Sequence, residues 1–158
     1  QLVAGSMLGL AGIAIAGEPV QYINEVPQVF DQNFSKKTGD GFSVVLFYSS
    51  NPPSQERKFK MDLTEKMYLQ IINESGMGFD SFLRYDTQRL ADKLQNTTTV
   101  NSHMIDNFGF VKSPTLAAYC GGERIFILEG CDPKSEAHIE AGKNFLVKKL
   151  SSYISTCQ

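Results

Sequence analysis

Apolar residues run unbroken from Val44 to Tyr48 in the stretch "FSVVLFYS", the pattern of a strand buried on both faces. On either side the pattern changes period. Toward the start, Val20 and Tyr22 predict a short strand. Val26, Val29, Phe30 and Phe34 then recur at helical spacing, with Pro27 near the helix start and "KKTGDG" as the turn into the central strand. After the central strand, Phe59, Leu63, Met67 and Ile71 step by four and predict a long helix over 53–74. Asn51 and Ser54 are its candidate N-caps, and "GMG" ends it. "FDSFLRYD" reads as the next strand and "TQRLADKL" as a short helix, with Asp86 placed to cap it. "QNTTTVNSHMID" is polar and reads as a loop, which puts His103 in solvent. "PTLAAYCGGERIFILEG" is a hairpin turning at Gly121-Gly122. In the tail, Ile139, Leu146, Leu150 and Tyr153 or Ile154 form the stripe of an amphipathic helix. Strands that alternate with helices and end in a hairpin and a helix predict an α/β fold, a mixed β-sheet flanked by helices on both faces. There is no internal repeat and no interdomain linker, so residues 18–158 read as one domain.

Residues 1–17 stand apart. No charge occurs from Leu2 to Gly17, and Ala14-Ile15-Ala16 resembles the end of a secretory signal. The same stretch also reads as part of a membrane anchor, since sixteen helical residues span roughly 24 Å and Gly5 and Gly9 form a G-x-x-x-G. A third reading is an expression remnant around "GSM". The first two readings imply an extracytosolic or secretory-pathway lumen location, or membrane association through residues 2–16. Three N-x-S/T sequons, at Asn33, Asn73 and Asn96, suit that compartment. A net charge of −2, from 15 basic and 17 acidic residues with no basic run, argues against nucleic acid as a partner.

The cysteines are Cys120, Cys131 and Cys157. They form no C-x-x-C, and their spacing suits no common zinc site. An odd count leaves at least one thiol free or paired with another chain, and one bridge within the chain is open to it, with Cys131–Cys157 as a candidate. No metal or cofactor is expected. The "ERK" and "KK" runs read as solvated faces.

The segment "FGFVKSPTLAAYCGGE", residues 108–123, resembles the part of the thioredoxin family where an aromatic residue and a glycine lead to proline-threonine-leucine, an apolar strand and a glycine turn. With the element order, the resemblance extends over about residues 20–155. It implies a thioredoxin-like fold, a cis bond between Ser113 and Pro114, and Ser113 main-chain groups turned toward the strand-to-helix corner. It also implies where a reactive dithiol would lie. Without gaps, the family's tryptophan falls on Asn51, its two cysteines on Pro52 and Gln55, and its buried acid on Leu46; Pro53 and Ser54 lie between the cysteine positions. Thiol–disulfide exchange needs a thiolate, and residues 1–119 contain no cysteine. Ser54 is no substitute without an adjacent base. The expectation is therefore a non-enzyme: a redox-inactive, chaperone-like domain for protein binding or scaffolding. Its partner groove would use Asn51, Pro52, Pro53, Ser54, Phe110, Ser113 and Pro114. The alternatives are a structural subunit of a membrane protein complex and a thiol–disulfide oxidoreductase-related enzyme. The partners expected are other proteins, as clients or complex subunits.

Overall fold

The computed structural model describes residues 18–157. The apolar start, with its signal, anchor or remnant readings, lies outside the described residues. Among the described residues, four strands form one sheet: β1 (Phe42–Tyr48), β2 (Phe82–Asp86), β3 (Thr115–Cys120) and β4 (Glu123–Glu129), in the order β2-β1-β3-β4. β1 runs parallel to β2, with Val44 opposite Phe82, and antiparallel to β3, with Phe47 opposite Thr115. Among the described residues, five α-helices pack on the sheet: α1 (Phe34–Thr38), α2 (Gln55–Glu74), α3 (Gln88–Leu94), α4 (Thr97–Phe108) and α5 (Ile139–Thr156).

The alternation along β1 sorts the core into two layers. Val44, Leu46 and Tyr48 point to the side covered by α2 and α5, with Leu63, Met67, Ile71, Leu146 and Leu150. Val45 and Phe47 point to the side of α1, α3 and α4, with Leu90 and Met104. That period of two within a continuous apolar run is what a strand covered on both faces requires. Phe34, Tyr85, Phe108 and Phe110 surround Phe47 at ring-centroid distances of 4.9 to 6.0 Å. On the other side α5 approaches α2 closely at Gly142, where a Cβ would come within 2.8 Å of the Met67 sulfur. Lys143 Nζ donates to Glu74 Oε1 beside this contact. The buried Tyr68 hydroxyl is satisfied by the Leu83 carbonyl at 2.7 Å, and burial raises its pKa well above the usual phenol value.

Four expectations are corrected. The first strand is not at Val20 and Tyr22. An extended segment at 27–29 lies beside β2 instead, with Arg84 N donating to the Pro27 carbonyl and Val29 N to the Arg84 carbonyl. The helix expected from Pro27 onward is therefore reduced to α1. Pairing to a sheet edge wins over a weak helical period, because it satisfies main-chain groups that the buried Val26 and Val29 carry inward. The polar stretch after Gln95 is α4, not a loop. Asn96 caps it by accepting from Thr99 N, and Gly109, at φ 80°, ends it. His103 is accordingly a helix residue, 3.0 Å from Asp31 Oδ2. In α2, Phe59 leaves the buried stripe and is 55% exposed.

The fourth correction concerns sulfur. Cys120 is bonded to Cys157, with Cα atoms 5.8 Å apart, and the free thiol is the buried Cys131. The bridge joins the end of β3 to the end of α5. Sequence spacing could not choose it, because only the packing of α5 beside the hairpin brings those two residues together.

Candidate partner-binding cleft

The corner between β1 and α2, residues 49–54, is fixed by hydrogen bonds from three directions. Ser54 Oγ accepts from Arg57 N and caps α2. Asp86 Oδ1, at the end of β2, accepts from both Ser50 N and Gln88 N, so one carboxylate ties the corner to the start of α3. Thr87 donates to the Tyr48 carbonyl through both its backbone N and its hydroxyl. The N-cap of α3 is Thr87 rather than Asp86; Asp86, one residue earlier, accepts from the first amide of the helix and holds the corner as well. Between Ser54 and Asn51, the two candidate caps, the helix takes Ser54 and leaves Asn51 facing out.

Facing this corner is the loop before β3, where the Ser113–Pro114 peptide bond is cis. Pro114 is buried and its carbonyl accepts from Cys131 N at 3.0 Å. Ser113 is exposed, and among the described residues no hydrogen bond uses its N–H or its carbonyl. An exposed, unpaired peptide group beside a fixed corner is a docking element for another extended chain.

The corner, the Ser113 loop, α3 and the first turns of α4 enclose a cleft of about 650 Å³. Asn51, Pro52 and Pro53 form one wall; Gln95, Thr97 and Asn101 form the other; Met61, Val100 and Met104 lie at its base; Val111 and Ser113 close one end. A second hollow of about 460 Å³ continues past Arg57, Lys60 and Lys112, with Asp132 on its far side. The main cleft thus mixes apolar and uncharged polar side chains, with Arg57 as the charged residue among those described, while the second hollow is basic on one side.

Of the residues expected from the sequence, Asn51, Pro52, Pro53 and Ser113 line the cleft. Ser54 acts as the helix cap. Phe110 is 3% exposed and packs against Phe47, so it shapes the cleft from behind, and the side chain presented at that place is its neighbour Val111, 43% exposed. Pro114 likewise acts through the backbone it turns. The α4 wall is not expected from the sequence, whose polar stretch after Gln95 predicts a loop. The available signal was Val100, Met104 and Phe108, spaced by four and followed by Gly109.

Sulfur sits elsewhere. Cys120 lies opposite Phe42, at the end of the sheet away from the corner, and is bonded. Cys131 is near Pro114 through its backbone, but its thiol is buried among Met67, Leu128 and Leu146, and burial pushes its pKa up to about 12. At neutral pH only on the order of one such thiol in 10⁵ is the thiolate that attacks a disulfide. Leu46, in the middle of β1, is fully buried and apolar. Among the described residues, no group of three His, Cys, Asp or Glu side chains is placed to hold a metal ion.

With the extended 27–29 segment counted at the edge, the strands follow the order 1-3-2-4-5, with a cis-proline before the fourth. A mutant thioredoxin from Halobacterium salinarum NRC-1 superposes on 81% of this chain and 89% of its own, with a TM-score of 0.53 at 14% identity. This chain has the thioredoxin fold. One form of human ERp44 matches 90% of this thioredoxin-like chain with a TM-score of 0.50 at 16% identity, and the match takes up 33% of the ERp44 chain. No protein-family model and no curated protein matches the sequence.

Proposed function

We propose that this thioredoxin-like domain is a redox-inactive protein-binding domain that works in an extracytosolic compartment. In this reading Pro52 and Gln55 stand where relatives of the fold carry the reactive dithiol. The cleft above them holds an extended segment of a client or of a neighbouring subunit. One observation carries the reading: a corner without cysteine faces an unpaired Ser113 peptide group across an open cleft. A partner strand pairs with Ser113 through its main chain, a side chain enters over Met61 and Met104, and Asn51 and Asn101 hydrogen-bond along the walls. The Cys120–Cys157 bridge supports an oxidising compartment, because such bridges persist there and are rare in the cytosol. A tether through the apolar residues 2–16 would hold the domain at a membrane, with the cleft left open to partners.

Two measurements on the full chain test this. Insulin reduction in the presence of dithiothreitol should proceed at the rate of the reagent alone. Fluorescence anisotropy with a labelled, unfolded client peptide should show binding, weakened about tenfold or more by Val111→Asp, since a charge at an apolar contact costs over 1.4 kcal/mol. Catalysed insulin reduction, or an affinity indifferent to Val111→Asp, contradicts the proposal. Phe110→Ala is unsuitable, because it empties the core beneath the cleft.

A further inference from the structure

The three sequons are chemically alike in the sequence and unlike in the fold. Asn73 is exposed, but its side-chain amide is fully engaged: Oδ1 accepts from Val20 N at 2.8 Å and Nδ2 donates to the Val20 carbonyl at 2.9 Å. Pairing with both groups of one residue uses the Nδ2 hydrogen on the same side as Oδ1. That is the hydrogen a sugar replaces, since a glycosylated amide keeps the trans geometry of any secondary amide. A glycan at Asn73 would therefore cut the tie that holds Val20 to α2. Asn33 is half-buried, accepts from Phe30 N at 2.8 Å, and precedes Phe34, whose ring packs in the aromatic cluster. Asn96 differs from both. Asn96, Thr97 and Thr98 are all exposed and the Asn96 backbone is extended at φ −155° and ψ 119°; as at Asn33, only Oδ1 is engaged, here as the cap that accepts from Thr99 N. Glycosylation leaves that oxygen in place, and among the described residues Nδ2 has no partner to lose.

We propose that Asn96 carries an N-linked glycan at the rim of the cleft, and that Asn33 and Asn73 do not. The inference rests on the secretory-compartment part of the proposed function. Asn96 Nδ2 bonds to the anomeric carbon of a sugar carried on a lipid pyrophosphate. The carbon–oxygen bond breaks, the lipid pyrophosphate leaves, and Nδ2 gives up one proton. Because Asn96 lines the cleft beside Gln95 and Thr97, the sugar stands over the α3–α4 side of the cleft.

The test expresses the full chain behind a host secretory leader in a glycosylating cell line and takes only protein from the medium. Glycan release by peptide N-glycosidase in ¹⁸O-water, followed by peptide mass spectrometry, marks each occupied asparagine. The expected result is a label at Asn96 and none at Asn33 or Asn73. Thr98→Ala should abolish it with loss of one glycan's mass, while the Asn96 cap remains for folding. Secreted protein unlabelled at Asn96, or labelled at Asn33 or Asn73, overturns the proposal. A host leader keeps this outcome separate from the compartment reading. That reading fails instead if the chain with its own start stays in the cytosol, and the cleft reading fails by peptide affinity alone.

Discussion

The two ends of β3 are built for opposite purposes. One end begins at Thr115 after the cis bond, opens onto a cleft, and leaves a main-chain peptide group unpaired. The other ends at Cys120, bonded to Cys157 at the end of α5, with the Phe126 and Tyr153 rings tilted against each other at 5.6 Å nearby. Five residue steps, about 17 Å of strand, separate them. The fold thus uses covalent sulfur where it locks the hairpin to the last helix. It leaves sulfur out at the helix N-terminus, where the local field would turn a cysteine into a thiolate. The difference teaches that the presence of a disulfide says little about redox chemistry until its place in the sheet is known.

The locked end should show the largest effect. Cys120→Ser releases a loop closed across 37 residues of sequence. It should cost about 3–4 kcal/mol and lower Tm by about 10 °C, while peptide affinity measured well below Tm stays unchanged. A parallel loss of affinity at low temperature would break the independence of the two ends. At the open end, Asp86→Ala removes the acceptor for Ser50 N and Gln88 N. Urea titration should show a loss of about 2 kcal/mol, and here peptide affinity should fall too, because the corner loosens. Ser54→Ala removes only the α2 cap and should cost about 1 kcal/mol. Glu65→Gln should be smallest. Burial, reinforced by the Asp62 charge, raises the Glu65 carboxyl above the usual range. The folded state then holds its proton more tightly than the unfolded state, so stability is lost as pH rises from the ordinary carboxylate pKa through the raised one. The glutamine variant should flatten that stretch of the pH–stability curve and be the more stable protein at pH 7.

Much of this was legible in the residues. The unbroken run in β1, the four-residue steps in α2 and the Gly121-Gly122 hairpin each gave one answer, because burial on both faces, an amphipathic helix and a tight turn leave separate marks. The cis bond was legible only through the resemblance carried by residues 108–123. The misread parts were those where tertiary contact outweighed local pattern. Val26 and Val29 have a helical period but pair at a sheet edge. Thr97, Thr98 and Thr99 are poor helix formers, yet they start α4 because Asn96 caps it and Met104 anchors it in the core. The resemblance puts Phe110 in the cleft, but its ring belongs to the buried cluster around Phe47. The Cys120–Cys157 pairing depends on where α5 ends in space, which no spacing rule contains.

The central claim is that partners dock at the corner and Ser113 while the sulfur-bearing end stands apart. A ¹⁵N NMR titration of the full chain with an unfolded client peptide tests it most directly. The account predicts that amide signals of Asn51, Thr97, Asn101, Val111 and Ser113 shift together and saturate at one affinity, with Cys120, Gly121 and Cys157 unmoved. Shifts centred on the disulfide end, or a new mixed disulfide with a cysteine-bearing peptide, would contradict it.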